Sequence, residues 1–196
     1  MSPDQEAEIL HLMRRARERD RGYASFFGWA IDRDLEELGV VRALAESLAT
    51  DGRLVFNELK SRGRGQDPPD VEGLSQAGHR VAFEVTELVD GRAIEAFKAG
   101  RHYDYADWDR NKFLVSLRVR LQSKVDRLPK LKDGPYEGGY VIVIHTDEPA
   151  LPVETVASFL LGQSFHELSG AVSAFLLLSY DPKAGHCPYF CLAPGT

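Results

Sequence analysis

The corner Pro69-Asp70 and the triplet Glu84-Val85-Thr86 place two carboxylates where they can do chemistry. The run from Val81 to Val89 is apolar enough to be buried, yet Glu84 stands at its centre. A carboxylate in such a strand is costly unless a cation or hydrogen bonds compensate it. Side chains alternate across a strand, so Val81, Phe83, Val85 and Val89 make one face, which is core, and Ala82, Glu84, Thr86 and Leu88 the other. A hairpin turn over Ser75–Arg80 brings the strand that carries Asp70 to about 4.8 Å from this one. Two carboxylates at that spacing repel each other unless a cation lies between them. Mg²⁺ (or Mn²⁺) suits the site, since it takes one or two carboxylates, a backbone carbonyl, waters and phosphate oxygens. Arg62 and Arg64, in the segment just before the corner, stand within reach of a phosphate near Asp70, or belong to a flexible basic turn.

Several elements must hold these groups in place. Asp34 and Glu37 fit a capping box at the start of a helix that runs to about Ala49. Its apolar arc is Leu38, Val41, Leu44, Ala45 and Leu48, with Glu37 inside the arc and Glu36 and Glu46 outside. Leu54–Arg62, Pro68–Leu74 and Arg80–Val89 read as three strands of a meander. A short helix after Gly91 and a long one across Tyr105–Leu128 follow. On the long helix Leu114, Leu117, Leu121, Val125 and Leu128 set the apolar arc, with Lys124 at its edge and Lys112 nearly opposite. Gly138–Thr146 and Ala171–Tyr180 are central strands, joined by a crossover helix over Leu151–Gln163. His186–Ala193 is a last edge strand. The order predicts an α/β fold in which an antiparallel meander leads into a βαβ unit. Residues 1–22 are expected to form an arginine-rich helical arm, and residues 23–196 a single domain.

Pro69-Asp70 at a strand start, with Glu84-Val85-Thr86 on the paired strand, resembles the PD-(D/E)xK superfamily of restriction-endonuclease-like nucleases. The order of elements from Asp34 to Thr146 agrees with the core of that fold. The resemblance implies a three-layer core, a central mixed sheet flanked by helices. It also implies a divalent-metal-dependent nuclease hydrolysing phosphodiester bonds of DNA or RNA, with the ion held by Asp70, Glu84 and the Val85 carbonyl. One position departs from the pattern: Thr86 stands where the family has lysine. Threonine can position a water but brings no charge to the transition state. Some members of the superfamily carry that lysine on a neighbouring helix, which makes Lys124 the candidate here; the alternative is a lysine snorkelling from the core edge. A helix glutamate of the family corresponds to Glu37, whose alternative role is capping partner of Asp34. The implied catalytic set is Glu37, Asp70, Glu84, Thr86 and Lys124. A nuclease-like domain that has lost its chemistry and binds nucleic acid or a protein partner is the second expectation. A defence or toxin-type scaffold that oligomerises through the arm is the third.

The chain has a net charge of −6, which argues against a nucleic-acid partner until its distribution is considered. Eight of the 24 basic side chains fall between Arg110 and Lys132, where Asp126 is the one acid. Arg118, Arg120 and Arg127 are the expected phosphate contacts of this segment; its alternative is a solvated helix face. Tyr105 and Trp108 could stack on bases or fill the core. No apolar run reaches the roughly 20 residues of a membrane span. Cys187 and Cys191 on one strand lie about 13 Å apart, too far for a disulfide, and two thiols alone make no zinc site. A reduced, cytoplasmic setting, no membrane, and a homo-oligomer through the N-terminal helix are the corresponding expectations.

Overall fold

The computed structural model describes residues 24, 33–53, 55–63, 65–101, 107–168 and 172–192. Its period-two segments build one six-stranded sheet, in the order β1 (Phe56–Ser61), β2 (Val71–Ser75), β3 (Arg80–Glu87), β4 (Tyr140–Thr146), β5 (Val172–Leu178) and β6 (Tyr189–Leu192). The pairs β1–β2, β2–β3 and β5–β6 are antiparallel, and β3–β4 and β4–β5 are parallel. The sheet is therefore open and mixed. Every residue of β4 is buried, as a parallel strand covered on both faces requires.

Four helices lie among the described residues: α1 (Arg33–Thr50), α2 (Gly91–Lys98), α3 (Arg110–Val125) and α4 (Val153–Leu160). Leu38, Val41, Leu44 and Leu48 of α1 pack on Val71, Val81, Phe83 and Val143. Across the sheet, Phe113, Leu117 and Leu121 of α3 and Val156 of α4 pack on Ala82, Ile142, Ile144 and Leu176. The result is helix, sheet, helix. The expectation of one core face on β3 is thereby corrected: α3 lies across the Ala82 and Leu88 face and buries it as well.

Local chemistry sets the element ends. Asp109 caps α3, its carboxylate accepting from the Lys112 amide at 2.7 Å, and Asp90 caps α2 in the same way through Arg92 at 2.8 Å. Asp34 lies inside the described helix rather than at the cap position expected of it. α1 begins at Arg33, and the Glu37 carboxylate accepts from the Arg33 Nε at 2.8 Å. β2 begins at Val71, so Pro69-Asp70 is a bend before the strand rather than its first residues. Gly138 leads the chain into β4 so close to β3 that a Cβ there would lie 2.6 Å from Val81 Cγ2 and 2.8 Å from the Arg80 carbonyl. The N-terminal arm, Arg64 and Tyr105 lie outside the described residues.

Candidate active site

The antiparallel register pairs Val71 with Phe83, so Asp70 stands one step further along, beside Glu84. Two hydrogen bonds hold that corner. The Asp70 amide donates to the Phe83 carbonyl at 3.1 Å, and the Val85 amide donates to Asp70 Oδ2 at 2.8 Å. Glu84 points to the α3 side of the sheet and is fully buried. On α3 the stripe Phe113, Leu117, Leu121 continues to Lys124 with helical spacing, so the lysine is buried at the end of an otherwise apolar seam. Its ammonium donates to Glu84 Oε2 at 2.6 Å and to Asp70 Oδ2 at 3.1 Å. Arg127, just past the helix, adds a second cation: Nε is 3.2 Å from Glu84 Oε2, and Nη2 is 3.7 Å from Asp70 Oδ1 and 3.1 Å from Asp67 Oδ2. Two buried acids thus meet two bases. Tyr140 on β4 fixes the helix end from below, its hydroxyl donating to the Lys124 carbonyl at 2.7 Å.

Glu37 approaches from the opposite layer. It lines a cavity of about 290 Å³ together with Arg33, Gly63, Asp67 and Asp70. Burial, then the Asp70 carboxylate, raise its carboxyl to about 7, against the pull of Arg33 and Lys124. Glu84 is raised to about 7 as well, first by burial and then by Asp70, with Lys124 and Arg127 opposing. Carboxyls that titrate near neutral pH are suited to accepting and returning protons there.

The donor set fits a hard divalent ion. Glu84 Oε1 is buried without a hydrogen-bond partner, while its other oxygen carries Lys124 and Arg127. Asp70 Oδ1 has Arg127 only at 3.7 Å. Along β3 the even residues bond to β4, as Ala82 and Leu88 do, which turns the Val85 carbonyl to the Asp70 side. Among the described residues no three acid, imidazole or thiol groups converge on one point. Mg²⁺ does not need them, since one or two carboxylates with carbonyl, water and phosphate oxygens suffice.

The structure thus gathers Glu37, Asp70, Glu84 and Lys124 around one corner. Thr86 lies two residues beyond Glu84 on the same face of β3, half-buried. The arginines expected to contact phosphate are distributed differently. Arg62 pairs with Glu72 at 3.1 Å and with Asp133. Arg118 forks onto Glu167 at 3.0 and 3.1 Å and lies over the Phe165 ring. Arg120 donates to the carbonyls of Glu87, Ser116 and Val89. Each has internal partners, and none of these three joins the carboxylates. Trp108 is buried with Lys112 Nζ 4.6 Å over its ring, so it offers no open stacking face. Cys187 is buried, Cys191 exposed, and both are free. Sequence reasoning missed Arg33, Asp67 and Tyr140 as parts of the site. It named Arg127 only as a phosphate contact.

No helix among the described residues is long and apolar enough to cross a membrane. No protein-family model matches the chain, and no curated protein does. A solved structure of Pyrococcus furiosus SfsA in complex with Ca²⁺ is similar at 16% identity and a TM-score of 0.32, over 80% of this chain. The match spans 64% of that protein's chain, less than two thirds of its length.

Proposed function

We propose that the chain is a divalent-metal-dependent nuclease of the PD-(D/E)xK, restriction-endonuclease-like type, hydrolysing phosphodiester bonds in DNA or RNA. The observation that carries this reading is the Lys124 ammonium, 2.6 Å from Glu84 and 3.1 Å from Asp70. It brings from α3 the charge that the motif position, Thr86, lacks. The helix–meander–helix–strand order and the three layers support the same reading.

Asp70, Glu84 and the Val85 carbonyl are the groups that would hold Mg²⁺ or Mn²⁺. When bound, the ion supplies Lewis-acid polarisation of the phosphate and lowers the pKa of a coordinated water. Lys124 orients the attacking water by donating to it, and its charge stabilises the extra negative charge of the pentavalent phosphorus. Glu37, in the cavity beside Asp70 and titrating at about 7, accepts the water proton as the new P–O bond forms. The leaving oxygen departs opposite the water and takes a proton from solvent.

A second reading also has an observation behind it. With Lys124 and Arg127 on Glu84 and Asp70, the quartet is charge-balanced as it stands. That suits a nuclease-like domain that binds nucleic acid or a protein partner without chemistry. Incubation of labelled single-stranded and duplex DNA and RNA with Mg²⁺, Mn²⁺ or EDTA separates the two. The nuclease predicts cation-dependent cleavage that Glu84→Gln abolishes, together with a cation-dependent rise in melting temperature lost in the same variant. Absence of both effects in the wild type leaves only the binding domain.

A further inference from the structure

A second cavity, of about 280 Å³, opens beside the carboxylate corner and is almost wholly apolar. Leu128, Leu131, Pro135, Tyr136 and Tyr140 line it. Tyr140 stands between it and the site: its ring forms part of the cavity wall, while its hydroxyl holds the Lys124 carbonyl at 2.7 Å. The Tyr136 hydroxyl is likewise occupied, donating to the Lys132 carbonyl at 2.9 Å. The wall therefore presents rings and methyl groups. The chain around it runs Arg127-Leu128-Pro129-Lys130-Leu131-Lys132, with Leu128 and Leu131 lining the cavity and Lys130 and Lys132 exposed. Lys132 Nζ reaches the Gly65 carbonyl at 2.9 Å, on the loop before Asp70. An occupant that satisfies both features is an apolar ring system attached to an anion. The volume is near the lower bound of roughly 300 Å³ for small-molecule sites, enough for one ring system rather than a long chain.

We propose that this cavity takes the base of an unpaired nucleotide whose phosphate lies at the Lys124, Asp70 and Glu84 corner, so that the substrate is single-stranded or locally unpaired nucleic acid. The inference rests on the phosphodiester reading above. A base in a duplex is stacked and paired, and bringing it here costs a few kcal/mol of unstacking. A single strand enters without that cost. Rings and aliphatic groups accept any base face, so the preference is for strandedness and not for sequence.

Fluorescence anisotropy in EDTA, where metal-dependent cleavage is silent, tests this directly. The probes are a short labelled single strand, the same strand with one abasic residue, its duplex, and a nucleoside monophosphate. The intact strand is expected to bind roughly 5- to 150-fold more tightly than the same strand lacking one base, the range of one stacked base. The duplex and the mononucleotide should bind more weakly than the intact strand. Leu128 is 37% exposed, so Leu128→Glu keeps the melting temperature while removing that preference, and Leu128→Met retains it. Equal affinity for intact and abasic strands, or for strand and duplex, overturns the proposal. A mononucleotide binding as tightly as the strand overturns the assignment to a polymer. The two readings fail separately. Equal cleavage of duplex and abasic strands keeps the nuclease and removes the base site, whereas base-dependent binding without any Mn²⁺-dependent cleavage does the reverse.

Discussion

Burial and the neighbouring Asp70 carboxylate raise the proton affinity of Glu84, while Lys124 at 2.6 Å and Arg127 at 3.2 Å lower it. Burial and repulsion win, which leaves the group at about 7 and makes the corner sensitive to any change in its cations. Lys124→Ala removes the closest one. It should destabilise the metal-free protein by about 3–5 kcal/mol if the buried acids stay ionised, read as a lower melting temperature. Added Mn²⁺ should restore much of that stability but not cleavage, because an ion replaces the charge without replacing the donor that orients water. Thr86→Lys, on the same face as Glu84, should return cleavage to the Lys124→Ala variant. Cleavage unchanged in Lys124→Ala would show that the lysine is only structural.

α3 is the element that makes the corner possible, and it does so by ending an apolar seam in a charge. Phe113, Leu117 and Leu121 dock it on the sheet, and Tyr140 holds its last turn through the Lys124 carbonyl. Tyr140→Phe should cost about 1 kcal/mol, the worth of one hydrogen bond. Cleavage should fall through kcat more than through KM, since substrate contacts remain while the ammonium loses its fixed position; an equal change in both would argue against a positioning role. The strands were legible because alternation and continuous apolar runs mark β3, β4 and β5 plainly. The carboxylate pair was legible for the same reason, as strand periodicity puts Glu84 and Thr86 on one face. Lys124 could be placed from the helical arc. Arg127 could not: α3 stops at Val125, and beyond it 100° per residue no longer predicts direction. Arg33 and Tyr140 join through layers that only packing brings together.

For the molecule as a whole, the raised carboxyls set the dependence of stability on pH. Unfolded, Glu37 and Glu84 titrate near 4.5; folded, near 7. Between those values the folded chain holds protons that the unfolded chain has released, so metal-free stability falls as pH rises. Glu72 acts in the other direction. Its burial is outweighed by Lys60 and Arg80, which hold it at about 2, so its contribution is lost as pH falls from 4.5 through 2. Denaturant melts from acid to alkaline pH should therefore peak slightly below pH 5, and Glu37→Gln with Glu84→Gln should flatten the neutral side. A wild-type profile that is flat between pH 5 and 8 would contradict these shifts. The separation of the reacting groups along the chain has one more result. Lys124 and Glu84 are 40 residues apart and hang on different layers, so no covalent frame fixes their distance. It lasts only while α3 stays docked. Parts of a fold can open locally at free energies below that of global unfolding. Heat should therefore silence this protein before it melts it, with the strands still paired and the lysine already gone from its place.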